Sequence, residues 1–171
     1  LSGRARGSAT HLFMQFVRYE SCTTREGIRQ ELVRMQAEKF LTPRQAEAVD
    51  AEKILALFSS ELGNRILHAD SLRREFKFSI LADAAAYDPA AVGEQVMLQG
   101  VVDCFWQEPD GIVILDFKTD YIHGDLQQKA SRYAPQLRAY AQALSRIYQC
   151  PVKKTVLYFF SAGREVEIDP E

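Results

Sequence analysis

Cysteine is scarce in this sequence and poorly spaced for chemistry. Cys22, Cys104 and Cys150 are odd in number and far apart, with no C-x-x-C pair, which suggests neither a disulfide framework nor a zinc or iron-sulfur centre. All three are expected as free thiols. Long apolar runs are also missing: no stretch approaches the roughly 18 residues needed to span a bilayer, and the opening LSGRARGSATHLF has no signal-peptide core and no starting Met. The chain therefore reads as cytoplasmic, free of membrane, and cut from something longer. Nor is there an excess of positive charge. With 21 Lys and Arg against 23 Asp and Glu, the formal net charge is -2. No broad electrostatic attraction to nucleic acid is expected, although a local cleft whose carboxylates are offset by metal ions would escape that argument. Repeats and low-complexity segments are absent.

What is present is an ordinary globular composition, 47% hydrophobic and 26% charged over 171 residues, enough for one well-buried core and short for two. A single domain over residues 1–171 is expected. Residues 1–70 carry apolar positions at helical spacing in SATHLFMQFVRYE, REGIRQELVRMQAEKF and TPRQAEAVDAEKILALFSSELGNRILHA, the last read as a third helix with Thr42 as N-cap and Pro43 at N1. From residue 71 the period changes. LRREFKFSILAD and EQVMLQGVVDCFW read as strands, and GIVILDFKT returns across the turn EPDG as the second arm of a hairpin. DLQQKASRYAPQLRAYAQALSRIYQ is helical, with Pro135 in the first turn of its main helix, and KKTVLYFFSA and REVEI are final strands. The class is α/β: a central mixed β-sheet flanked by helices, with a helical N-terminal segment.

The stretch IVILDFKTD puts Asp116 and Lys118 on one face of a strand and Phe117 on the other. If residues 108 to 111 form the hairpin loop, Gln107 lies opposite Ile112 and Asp103 opposite Asp116. Directly opposed carboxylates destabilise a sheet, so their retention among apolar neighbours points to a cation between them. Spacing alone leaves a surface salt bridge open. Glu75 shares a face with Arg73 and Lys77, which is equally a solvated outer face. Gln136 and Tyr140 share a helix face with Tyr133 and Leu137, as core packing would also produce. His11 alone is as much a packed histidine as a ligand; His68 and His123 read as surface or capping residues, and Arg4 and Arg6 stand between phosphate contact and linker.

Together these residues carry a resemblance. GVVDCFWQEPDGIVILDFKTD resembles the G-x-x-D and D-x-K-T pattern of PD-(D/E)XK nucleases, in particular the RecB-type nuclease domain. RGSATHLFMQ is similar to that family's first motif, with His11; REFKF to its Glu motif, with Glu75; and YAPQLRAYAQAL to its Q-x-x-x-Y helix, with Gln136 and Tyr140. The motifs occur in order over nearly the whole chain. Within the family they are most similar to the nuclease domains of AddA subunits of bacterial AddAB helicase-nucleases; AddB-type relatives carry four cysteines for an iron-sulfur cluster, a set this sequence lacks.

The resemblance implies a restriction-endonuclease-like core and a DNA nuclease of exonuclease type. It implies Mg²⁺, with Mn²⁺ able to substitute, and no zinc or iron-sulfur cluster. Its metal ligands would be His11, Asp103, Asp116 and the backbone carbonyl of Phe117; the catalytic group would be Asp116, Lys118, Glu75, Gln136 and Tyr140. Implied partners are DNA, chiefly single strands, helicase domains of a parent chain, and an AddB-type subunit in break repair and recombination. Hard carboxylate oxygens suit such an ion, and a lysine head suits developing phosphoryl charge. The alternative is a nuclease-like DNA-binding or interaction module without activity.

Overall fold

The computed structural model describes residues 2–171. Among them, seven α-helices and a five-stranded sheet follow the expected order of elements. The first helix, α1 (Gly3–Phe16), starts where the Ser2 side chain accepts from the Ala5 N–H, and it turns Gly7, Ala9, Phe13 and Met14 inward. A short 3₁₀ turn, Tyr19–Thr23, leads to α2 (Arg25–Ala37), capped by Thr24.

The segment expected as one third helix is three. They are α3 (Pro43–Ala48), α4 (Ala51–Phe58) and α5 (Glu61–Leu67). Thr42 and Gln45 form a reciprocal capping box with Pro43 in the first turn, as the sequence indicated. The breaks come from two further capping side chains: Asp50 accepts from Glu52 N and Lys53 N, and Ser60 from Gly63 N. Each cap satisfies donors that an uninterrupted helix would have bonded itself, so the chain can change direction at little cost. The change keeps Ile54, Leu57, Phe58, Leu62 and Ile66 in one apolar cluster.

The strands are β1 (Arg73–Asp83), β2 (Gln95–Glu108), β3 (Gly111–Lys118), β4 (Val152–Phe159) and β5 (Arg164–Ile168), in spatial order 1-2-3-4-5. Only β3 and β4 run parallel; the other neighbours are antiparallel. The sheet is mixed, as expected. The crossover between β3 and β4 carries α6 (Leu126–Ser131) and α7 (Ala134–Tyr148), with Pro135 in the first turn of α7. Central β3 is buried from Gly111 to Phe117, which explains its unbroken apolar run.

Apolar residues gather in two layers. On one side of the sheet Phe13, Ile28, Met35 and Leu57 meet Cys104, Trp106, Leu115 and Phe117. On the other Leu137, Ala141 and Leu144 of α7 meet Ile112, Ile114, Leu157 and Phe159. The hairpin loop is tighter than four residues, because Glu108 pairs with Gly111 and only Pro109 and Asp110 turn the chain. The register is nevertheless the expected one, Gln107 opposite Ile112. None of the described helices is long and apolar enough to cross a membrane.

Candidate active site

The β2–β3 register, carried one residue beyond the last pair, Cys104 and Leu115, sets Asp103 against Asp116. Both carboxyls open into a cavity of about 250 Å³ whose walls also include His11, Lys118, Gln136 and Tyr140. Residues from α1, β2, β3 and α7 thus meet at the end of the central strand. Asp103 is anchored first: its Oδ2 accepts from the Phe117 N–H at 2.9 Å, and His11 Nε2 lies 3.7 Å away. Burial works against its charge, but His11 and the Phe117 N–H outweigh it and hold the carboxyl below its ordinary range.

Asp116 is in the opposite condition. It is 3% exposed, and burial followed by the charge of Asp103 pushes its carboxyl up to about 7 despite Lys118. The Lys118 ammonium stands 2.7 Å from Oδ2, yet that buried oxygen accepts no properly angled hydrogen bond. Its cationic neighbour is poorly aligned to donate to it. Lys118 itself is well held. Its Nζ donates to Gln136 Oε1 at 3.0 Å, Gln136 Nε2 donates to the Tyr140 hydroxyl at 2.9 Å, and the ammonium sits 4.0 Å over the Tyr133 ring.

His11 faces two carbonyls. Nδ1 lies 3.1 Å from Gly7 O and Nε2 2.9 Å from Phe117 O. Carbonyl oxygens only accept, so both ring nitrogens carry protons and the ring is an imidazolium. Contact with Asp103 is the main cause that raises it to about 9, against burial. The helix that carries it is pinned at both ends. At Gly7 an added Cβ would stand 2.5 Å from Thr119 Oγ1, so α1 touches the end of β3 there. At the other end, Arg74 Nη1 donates to the carbonyls of Met14, Gln15 and Val17, and its guanidinium lies 3.9 Å over the Tyr19 ring.

Glu75 is placed differently from the rest. It lines the neighbouring cavity with His11 and Gln15 rather than the one holding both aspartates. Its flanking pairs, Arg74 with Cys104 and Phe76 with Val102, set it across from Asp103, and its φ of 50° is left-handed, a strained value for a residue with a side chain. Burial, then Asp103, raises its carboxyl. Here the strict alternation of β2 fails: Val102 and Phe105 pack on the α7 side while Cys104 and Trp106 pack on the other. The register is the same on both sides, so the distortion is confined to the Glu75–Asp103 pair.

Tyr133, Thr119 and Asp120 also border the site, and the sequence reading gives them no role. Tyr133 donates to Asp120, which Lys129 approaches at 3.1 Å, so the aromatic face under Lys118 is itself fixed. Tyr133 precedes Gln136 and Tyr140 at helical spacing, which is the signal the sequence offers for it. His68 is the C-cap of α5, and His123 stacks on Tyr121; neither reaches the site.

Among the described residues no three His, Cys, Asp or Glu side chains form a group that could by itself hold a metal ion. The oxygen atoms nevertheless fit a hard cation. Asp116 Oδ2 is buried without a well-angled hydrogen bond, Asp103 lies opposite, and the Phe117 carbonyl faces His11 Nε2 at 2.9 Å. Two carboxylates and a carbonyl, with waters completing the shell, are a donor set for Mg²⁺ or Mn²⁺ rather than for a thiolate-seeking metal.

Sequence comparison extends these observations. The family model of the PD-(D/E)XK nuclease superfamily matches residues 1–170. The chain is 38% identical over 174 aligned positions to the A subunit of the ATP-dependent helicase/nuclease of Clostridium novyi (strain NT), covering 98% of this chain and 14% of that protein. It is 41% identical over 175 positions to the protein of the same name from Bacillus cereus (strain Q1), covering 96% and 14%, and 39% identical to that of Bacillus mycoides (strain KBAB4). The chain thus spans about one-seventh of the length of these relatives. A match over nearly every residue, on a sheet that sets Asp103, Asp116 and Lys118 around one cavity, places the chain in the PD-(D/E)XK nuclease superfamily.

Proposed function

We propose that this chain is a divalent-metal-dependent deoxyribonuclease that hydrolyses phosphodiester bonds. The observation that carries the proposal is Asp116: a buried carboxyl facing a second carboxyl, Asp103, with the Lys118 ammonium 2.7 Å from Oδ2 as its cationic neighbour and no well-angled hydrogen bond to that oxygen. A purely structural ion pair would not set a second carboxyl against the first, and this one does.

Asp103, Asp116 and the Phe117 carbonyl would hold Mg²⁺ or Mn²⁺, and His11 would join them by releasing its Nε2 proton. When bound, such an ion polarises a phosphoryl oxygen and makes a water more acidic. Lys118 orients the attacking water or meets negative charge building on the phosphate, from a rigid strand rather than a loop. Gln136 and Tyr133 fix the ammonium, and Tyr140 fixes Gln136, so these three aim the lysine. Glu75, on the far side of His11, lies at the rim and would bind or orient substrate.

The relatives' names support the setting. Proteins called ATP-dependent helicase/nucleases contain a motor, so this domain would cut single strands that helicase domains of a longer chain deliver, beside an AddB-type subunit, in DNA break repair in the bacterial cytoplasm. A net charge of -2 agrees with substrate fed by a partner rather than captured from solution. Incubation with end-labelled single-stranded DNA and Mg²⁺ tests the proposal. Cleavage that Asp116→Ala removes supports it; folded protein that binds DNA but cuts it in neither Mg²⁺ nor Mn²⁺ is an inactive binding module instead.

A further inference from the structure

Two more cavities continue the catalytic one around α1. The middle one, about 790 Å³, shares His11, Thr119 and Asp120 with the catalytic cavity and adds Arg4 and Ser8. The outer one, about 540 Å³, shares Gly3, Gly7, Thr119 and Tyr121 with the middle one and adds Arg6, Arg44 and Lys53. Gly7 and Thr119, where α1 touches the end of β3, line both of these cavities and divide them.

The lining of the outer end is cationic and aromatic. Arg6 and Arg44 are exposed and make no ion pair among the described residues, and Lys53 is a loose 3.8 Å from Asp50. Two carboxylates, Glu47 and Asp50, also line it, but Asp50 is engaged in capping α4. At the shared wall stands Tyr121, 73% exposed, its ring 6.2 Å from His123 at an interplanar angle of 23°. The ring is open to solvent beside the exposed Arg6 and Arg44, so a base could stack on it. Cations for phosphates beside an open ring for a base are the equipment of a single-strand site.

We infer that the outer and middle cavities are a track for an unpaired nucleic-acid strand leading to the catalytic cavity, with Tyr121 stacking a base and Arg6, Arg44 and Lys53 meeting phosphates. The inference rests on the nuclease proposal and adds to it where the strand runs. Duplex would not use the ring, because paired bases keep their faces stacked on one another.

The test is fluorescence anisotropy in EDTA, with labelled oligothymidylate of about 12 nucleotides, within the roughly 4–16 that single-strand sites cover, and with a trinucleotide. Joint replacement Arg44→Ala and Lys53→Ala should weaken the longer strand on the order of tenfold and make its salt dependence shallower by about 0.7 for each phosphate left without its cation. Tyr121→Ala should weaken it roughly tenfold, with Tyr121→Phe restoring affinity. The trinucleotide should lose less in every case. Unchanged affinity and salt slope, or equal losses for both lengths, overturn the track. Cleavage by the wild type is scored separately. If it cuts and the variants bind normally, only the track fails; if it binds along the track and does not cut, the catalytic proposal fails alone; if it does neither, both fail.

Discussion

At the turn end of the β2–β3 hairpin, Glu108 is met by Arg65 at 2.8 Å, Lys153 at 2.5 Å and the Trp106 indole N–H at 3.0 Å, and Lys153 also reaches Asp110 at 2.7 Å. At the open end of the same two strands, Asp103 and Asp116 face each other with only one lysine and one histidine beside them among the described residues. The turn cluster holds Glu108 down to about 2, chiefly through Lys153, whereas the open cluster raises Asp116 to about 7. Both ends lie on the same two strands, so the contrast comes from deeper burial of Asp116, the carboxyl opposed to it and its fewer cations. Charges that lock a fold find all their partners; charges that await a ligand are left short of one.

The sharpest break of this comparison is a pair of substitutions. Asp116→Ala should abolish cleavage, a loss beyond the roughly 10–100-fold expected when an outer-shell partner is removed, while metal-free stability to urea stays level or rises because a repelling partner is gone. Glu108→Ala should do the reverse. It strips Trp106 and two cations of their acceptor and should cost about 1–2 kcal/mol, with cleavage rate per folded molecule retained. Equal stability losses in the two variants would erase the distinction between the ends.

Next comes Lys118→Ala, expected to lower kcat about 10²–10³-fold, in line with removing a preorganised group that meets developing charge. Its metal binding should survive. A site filled to 100 times its dissociation constant stabilises the fold by about 2.7 kcal/mol, and thermal melts with Mn²⁺ should show that shift in Lys118→Ala but not in Asp116→Ala. Loss of the shift in both would mean that lysine and carboxylate do not divide the work.

A smaller effect should follow Gly100→Ala. An added Cβ would stand 2.9 Å from carbon atoms of both the Phe78 and Tyr140 rings. Tyr140 must then shift, and through Gln136 it moves Lys118. A fall in kcat of about tenfold is expected, within the range for outer-shell partners, with metal affinity unchanged. Wild-type kcat in this variant would show that the Tyr140–Gln136 chain does not aim the lysine.

The two ends were unequally legible in the sequence. Asp103 facing Asp116 follows from counting back along both arms, and the count survives a wrong loop: a two-residue turn and a four-residue loop give the same pairs once Glu108 and Gly111 close on each other. The turn cluster could not be read, because Arg65 and Lys153 come from α5 and β4, and their meeting at Glu108 depends on tertiary packing. Glu75 showed the limit of alternation, since a left-handed φ at one residue breaks a period-two count and no local pattern in REFKF announces it. The splitting of the third helix was hidden for a related reason. Asp50 and Ser60 are capping residue types, but the helical apolar period runs through both.

The mildest probe of the comparison is pH, in chelator so that no metal contributes. Glu108 titrates near 2 in the fold against an ordinary glutamate value of 4.5. Below both values it is protonated in either state and adds nothing; as pH rises from about 2 toward 4.5 the unfolded chain holds the extra proton, so stability climbs and is then kept. Asp116 has the opposite sign. Between its ordinary 3.8 and about 7 the folded chain holds the extra proton, so stability declines as pH rises through that window. Urea midpoints taken from acid to neutral pH should therefore rise and then fall. Glu26, Glu31, Asp103 and Asp120 are also held low, and Glu75 and His11 held high. Glu108→Gln should thus make the rising limb shallower without touching the fall, and Asp116→Asn the falling limb shallower without touching the rise. If Asp116→Asn leaves the falling limb intact, burial and Asp103 do not hold the Asp116 proton, and the contrast between the two ends of the hairpin goes with it.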